Sequence, residues 1–127
     1  MDRPALVSIA QTAIAEDQLE VIITLAWHDA KYSGQAVGPI DARLRPRLVG
    51  EATLRAIEEV TDNKLELSLA AVATTPLGDA QVAMAQVVMA GDDGPFVGSA
   101  LLRERDDAAA TVRAVLDAIN RRLAALI

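Results

Sequence analysis

At 127 residues and 52% hydrophobic content, the chain is long enough for one hydrophobic core and too apolar to be disordered. Its net charge of −6 argues against nucleic acid or an anionic membrane as partner, and its lack of cysteine excludes disulfides, thiol catalysis and thiolate metal sites. Trp27, Tyr32 and Phe96 are the only aromatic residues, so the core is expected to be thin layers of Ala, Val, Leu and Ile.

The N-terminus, Met1-Asp2-Arg3-Pro4, has neither the basic start nor the apolar run of a signal peptide. The longest apolar stretch, Val82 to Ala90, is interrupted by Gln86 and falls short of the ~20 residues of a membrane helix. A cytoplasmic location is expected.

Ala5 to Ile14 is rich in small and branched residues and predicts a first strand. From Leu19 to Trp27 apolar residues alternate, with Leu19, Val21, Ile23, Leu25 and Trp27 on one side, and that period of two predicts a second strand. His28 follows at the strand end, running into a turn through Asp29, Ala30 and Lys31. A third strand carries Gly34-Gln35-Ala36. A helix is then predicted from about Leu48 to Val60, with Pro46 in its first turn or in the loop before it.

The second half repeats this order. Leu65, Leu67, Leu69 and Ala71 share one side of a fourth strand, with Glu66 and Ser68 opposite. Gly78-Asp79 marks a turn before a fifth strand, Ala80 to Met89. That strand is apolar on both faces, which predicts a cover on each: the chain's own helices on one, a second subunit on the other. Val87 is read as an outward position, where a charge would disrupt the contact between subunits. Gly91-Asp92-Asp93-Gly94-Pro95 forms a turn, and Gly98-Ser99-Ala100 lies on a sixth strand. The last 20 or so residues predict a helix capped by Asp106 or Asp107. Its apolar stripe is Ala109, Val112, Leu116, Ile119, Leu123 and Leu126, and Asp117 and Arg121 are set one turn apart for an ion pair.

Ala52-Thr53-Leu54-Arg55-Ala56-Ile57 matches Ala110-Thr111-Val112-Arg113-Ala114-Val115, 58 residues on, while Gly34 and Gly98 stand 64 apart. The first half then holds six extra residues between strand and helix. The expected fold is α+β, one domain over residues 1–127, made of two strand-strand-strand-helix units (about 5–60 and about 64–126). The two are related by internal pseudo-symmetry, their sheets covered by the helices.

Candidate chemistry is sparse. The only histidine, His28, adjoins Asp29, but no Ser or Cys nucleophile motif accompanies it, so no catalytic residue is assigned and the chain is not expected to be an enzyme. One His and no Cys leave only carboxylates such as Asp92 and Asp93 for a metal, and their glycine-flanked turn favours Asp for backbone reasons; no metal or cofactor is expected. Arg43, Arg45 and Arg47 form one local basic patch without interleaved aromatic residues. Asp41 reads as a helix N-cap or turn aspartate, a role compatible with contacting a ligand ammonium.

Gly38-Pro39-Ile40-Asp41-Ala42 before the first helix, Leu77-Gly78-Asp79-Ala80-Gln81-Val82 entering the fifth strand, and the closing helix from Ala110 to Arg121 together resemble a known family. It is the C-terminal regulatory domain of 2-isopropylmalate synthase and its relatives citramalate and homocitrate synthase. The resemblance runs from about Leu6 to Leu123. It implies a homodimer that binds an end-product amino acid, such as leucine, or a similar carboxylate near Gly38, Pro39, Ile40, Asp41 and Ala42 and near Gly78, Asp79 and Ala80. Here that module is expected to be free-standing and to report to an unidentified protein partner. The Arg43 to Gly50 segment departs from the family pattern and would remodel the pocket. The alternative is a purely structural interaction module whose pocket is filled by side chains.

Overall fold

The computed structural model of the chain describes residues 3–92, 94–103 and 106–126. Met1, Asp2, Asp93 and the side chain of Leu126, all named above, lie outside the described residues. The elements run β1 (Ala5–Ala15), β2 (Gln18–Trp27), β3 (Ala30–Pro39), α1 (Arg45–Val60), β4 (Leu67–Leu77), β5 (Ala80–Met89), β6 (Pro95–Leu101) and α2 (Asp107–Leu126). The fold is α+β, with two antiparallel three-stranded sheets ordered β1-β2-β3 and β4-β5-β6. No helix among the described residues is long and apolar enough to cross a membrane.

Alternation sets which face of each sheet is buried. Leu19, Val21, Ile23 and Leu25 of β2 point inward, as do Ala83, Ala85, Val87 and Met89 of β5. Val87 is therefore a core residue at 0% exposure, not an outward one. The outward positions of β5 are Val82, Met84, Gln86 and Val88. Ala71 also departs from expectation. A bulge between Leu69 and Ala71 shifts the register, so Leu67 and Leu69 stay buried while Ala71 turns to the other face. Leu65 is buried but precedes the strand.

The helices are buried almost all round. α1 packs on β2 and β3 and reaches β4 and α2; α2 packs on β5 and β6. Two glycines make this packing close. A Cβ on Gly34 would overlap the backbone of Ala52 and Ala56, and one on Gly98 would overlap that of Ala114 and Ala118. The helix residues that sit alike against the two glycines are Ala52 with Ala114 and Ala56 with Ala118, one turn later than the match to Ala110. In that register Leu54 faces Leu116 and Ile57 faces Ile119 in the comparison, and all four are buried.

The helix starts differ from one another. α1 begins at Arg45, three residues earlier than expected, because Pro46 occupies its first turn with its fixed φ already helical. Its cap residue, Leu44, makes no side-chain cap bond. α2 is capped by Asp106, whose carboxylate accepts the N–H of Ala109 at 2.9 Å. The expected pair of Asp117 with Arg121 does not form among the described residues. Asp117 instead accepts the backbone N–H of Ser99 at 3.0 Å and ties α2 to β6.

Candidate functional site

The residues expected to hold a ligand fall in two places. Gly38 and Pro39 close β3, and Ile40 donates its N–H to the carbonyl of Asp17 at 3.1 Å, fastening the strand end to the β1–β2 turn. Beside Gly38 the space is taken by the chain itself: a Cβ there would lie 2.7 Å from Cδ2 of Leu48. Pro39 and Ile40 are exposed.

Asp41 organises the turn into α1. Its carbonyl accepts the N–H groups of Leu44 and Arg45, each at 3.0 Å, and its carboxylate accepts the N–H of Arg43 at 2.9 Å. The Arg43 guanidinium approaches the same carboxylate at 3.3 Å. The backbone N–H of Arg43 and then its guanidinium hold the Asp41 carboxyl below the usual carboxylate range. Asp41 is thus a turn aspartate, three residues short of the helix cap.

Gly78 and Asp79 form the two-residue turn of the β4–β5 hairpin, with φ of 60° at Gly78, the left-handed region a type II′ turn demands at its first central position. Nothing lies within 4 Å of a Cβ built on Gly78, so the glycine answers to the turn and not to a close neighbour. Gly78 and Asp79 are exposed and Ala80 is half-buried.

A cleft of about 160 Å³ lies where the two helices begin. Ala42, Arg45, Pro46 and Val49 line it from the α1 side, and Asp107, Ala108 and Thr111 from the α2 side. Ala42 is the one expected ligand residue on its wall. Arg45 Nε is buried and has no hydrogen-bond partner among the described residues. Thr111 is not such an open group, because its hydroxyl donates to the carbonyl of Asp107 at 2.9 Å. The cleft therefore holds one cation and one carboxylate on an otherwise mostly apolar wall.

Sequence reasoning named Arg45 only as part of a basic patch and Asp107 only as a capping residue. The three arginines in fact have separate roles. Arg43 pairs with Asp41, and Arg47 pairs with Glu51 at 3.2 Å while donating to the carbonyl of Leu69. Only Arg45 lines the cleft. The signal that could have singled it out was Pro46, which starts the helix early and gives residue 45 a place in its first turn.

His28 and Asp29 are the two central residues of the β2–β3 hairpin, with φ of 48° and 63°, the pattern of a type I′ turn. The His28 ring stacks on Trp27, centroids 4.0 Å apart. Asp92 pairs with Arg122 at 2.8 Å, and among the described residues no group of three or more His, Asp or Glu could hold a metal ion. No family model matches the chain, and no curated protein matches it.

Proposed function

We propose that the chain is a non-catalytic, homodimeric recognition module that binds a small amino acid or related carboxylate in the cleft between the helix starts. One observation carries this reading: a single cleft presents Arg45 and Asp107 beside the apolar surfaces of Ala42, Pro46, Val49 and Ala108. A zwitterion answers that arrangement. The buried Nε of Arg45, which has no hydrogen-bond partner among the described residues, would meet its carboxylate, Asp107 its ammonium, and the apolar wall its side chain. The volume, about 160 Å³, is close to that of an engineered cavity that accepts one benzene, roughly 150 Å³. The resemblance to the 2-isopropylmalate synthase regulatory domain points to the same ligand class.

Within this reading the chain is one domain of two strand-strand-strand-helix units related by pseudo-symmetry. The element order given twice supports the duplication, as do Gly34 and Gly98 against the same alanine pair of their helices. The cleft then lies at the seam between the units.

Calorimetry and thermal shift against leucine, isoleucine and valine test the proposal. A ligand present at about 100 times its dissociation constant stabilises the chain by roughly 2.7 kcal/mol. Arg45→Ala and Asp107→Asn should each remove the response while leaving the fold intact. A flat response of the wild-type chain to the whole set overturns the amino-acid reading.

A purely structural interaction module is the second reading, and one observation favours it. The space beside Gly38 is filled by Leu48, and neither Gly78, Asp79 nor Ala80 lines the cleft. It expects association without any ligand response.

A further inference from the structure

We infer that the outer face of the β4-β5-β6 sheet is the surface on which two copies of this chain associate, stacked sheet on sheet. The inference rests on the dimeric reading proposed above and extends the second-subunit cover expected for β5 to the whole outer face of its sheet. The register places Leu77, Met84, Val88, Val97 and Leu101 on this one face. All five are exposed, Leu77 at 68% and Val97 at 60%. The remaining strand positions on the face are Ala, Val, Ser, Thr, Gln and Pro, so no strand residue on it is charged; Glu66 precedes β4 at the margin.

The other sheet shows that this bareness is not a property of the architecture. Its outer face bears Glu20 and Lys31 and is knitted by polar contacts: Gln35 donates to Glu20 at 2.7 Å, and the Thr24 and Ser33 hydroxyls lie 2.9 Å apart. One outer face is finished for water and the other is not.

Absence of charge selects the occupant. A two-fold axis sets the same face of one copy against that of the other, so any Asp or Glu on it would enter the interface twice. In a chain of net charge −6, an uncharged face is where self-association is least opposed. A surface made for a foreign protein gains selectivity and on-rate from complementary charge, and this one offers none. A depression of about 330 Å³ beside Met84 and Val97 supplies relief for a partner's side chains.

Area sets the strength. Three strands about 4.8 Å apart and some 30 Å long present roughly 400–500 Å² per copy, or nearly 1,000 Å² in the pair. That is at the low end for a specific interface, so the dimer should be reversible and concentration-dependent.

Sedimentation velocity from dilute to concentrated protein reads this directly, with thermal melts of dilute samples as a folding check. Wild type should shift from monomer to dimer. Val97→Lys and Leu101→Glu, both at exposed positions, should weaken the dimer at least about tenfold with the melting curve unchanged. Val37→Lys, on the outer face of the other sheet, should leave it alone. A wild-type chain that stays monomeric overturns the dimeric reading, and this surface with it, even if some other protein protects Val97 from solvent. A dimer that survives both β6 substitutions overturns the surface alone.

Discussion

The guanidinium of Arg55 on α1 donates to the carbonyl of Leu67 on β4, and one turn on, Glu58 accepts the N–H of the same residue at 2.8 Å. Arg55 and Glu58 also pair with each other at 2.9 Å. Both polar groups of one edge-strand residue are thus satisfied by side chains, which closes the start of the β4 edge against pairing with another chain. Arg47 extends the clasp to the carbonyl of Leu69.

Removing Glu58 should therefore cost more than an exposed ion pair would. Glu58→Ala leaves the part-buried N–H of Leu67 without an acceptor, a loss of about 1–3 kcal/mol in urea unfolding. Glu58→Gln keeps an acceptor and should lose less. Equal losses for the two variants would mean that the N–H bond contributes little.

Gly34→Ala and Gly98→Ala should each destabilise by about 1–3 kcal/mol or more, because the added methyl meets helix backbone, which cannot rotate aside. Gly94→Ala is the control. Nothing lies within 4 Å of its Cβ, so it should stay within about 0.5 kcal/mol of wild type. Thermal or urea unfolding of the three variants checks both halves of the statement.

Val87→Glu should unfold the chain outright and not merely separate subunits, since Val87 is fully buried and a carboxylate there has no partner. Circular dichroism of the variant decides this. A folded monomer would contradict the packing described for β5.

Asp41 gives the pH dependence. Its carboxyl is held low by the Arg43 N–H first and the Arg43 guanidinium second, so it titrates below the ordinary value of ~3.9. The support it lends the turn is complete above that ordinary value and is lost as pH falls through the lowered one. A carboxyl NMR titration of Arg43→Ala should move Asp41 only part of the way back, because the backbone donor survives the substitution. Full return to the ordinary value would assign the effect to the guanidinium alone.

Much of the fold was legible wherever alternation or turn chemistry acts locally. The bounds of β5 coincide with the expected Ala80 to Met89, and Asp106 caps α2 as one of the two candidates. Legibility failed where a long-range contact outranked the local pattern. Ala71 turns over at a bulge, and Val87 could not be told from Val88 because both faces of β5 are apolar, so only the packing of α2 shows which is inward. Asp117 prefers a strand N–H to Arg121 for the same reason. Of the cleft's lining, Ala42 alone was among the expected ligand residues. Arg45 was read as part of a basic patch because the helix was expected to begin at Leu48, and Asp107 arrives from the far end of the chain through the contact between α1 and α2.

Trp27, the sole tryptophan, sits half-buried at the tip of the β2–β3 hairpin with its indole against His28. Intrinsic emission of this chain consequently watches one corner of one sheet. A fluorescence melt that precedes the loss of helical ellipticity would report fraying of that hairpin ahead of the rest, whereas superimposed curves would mark a single cooperative transition.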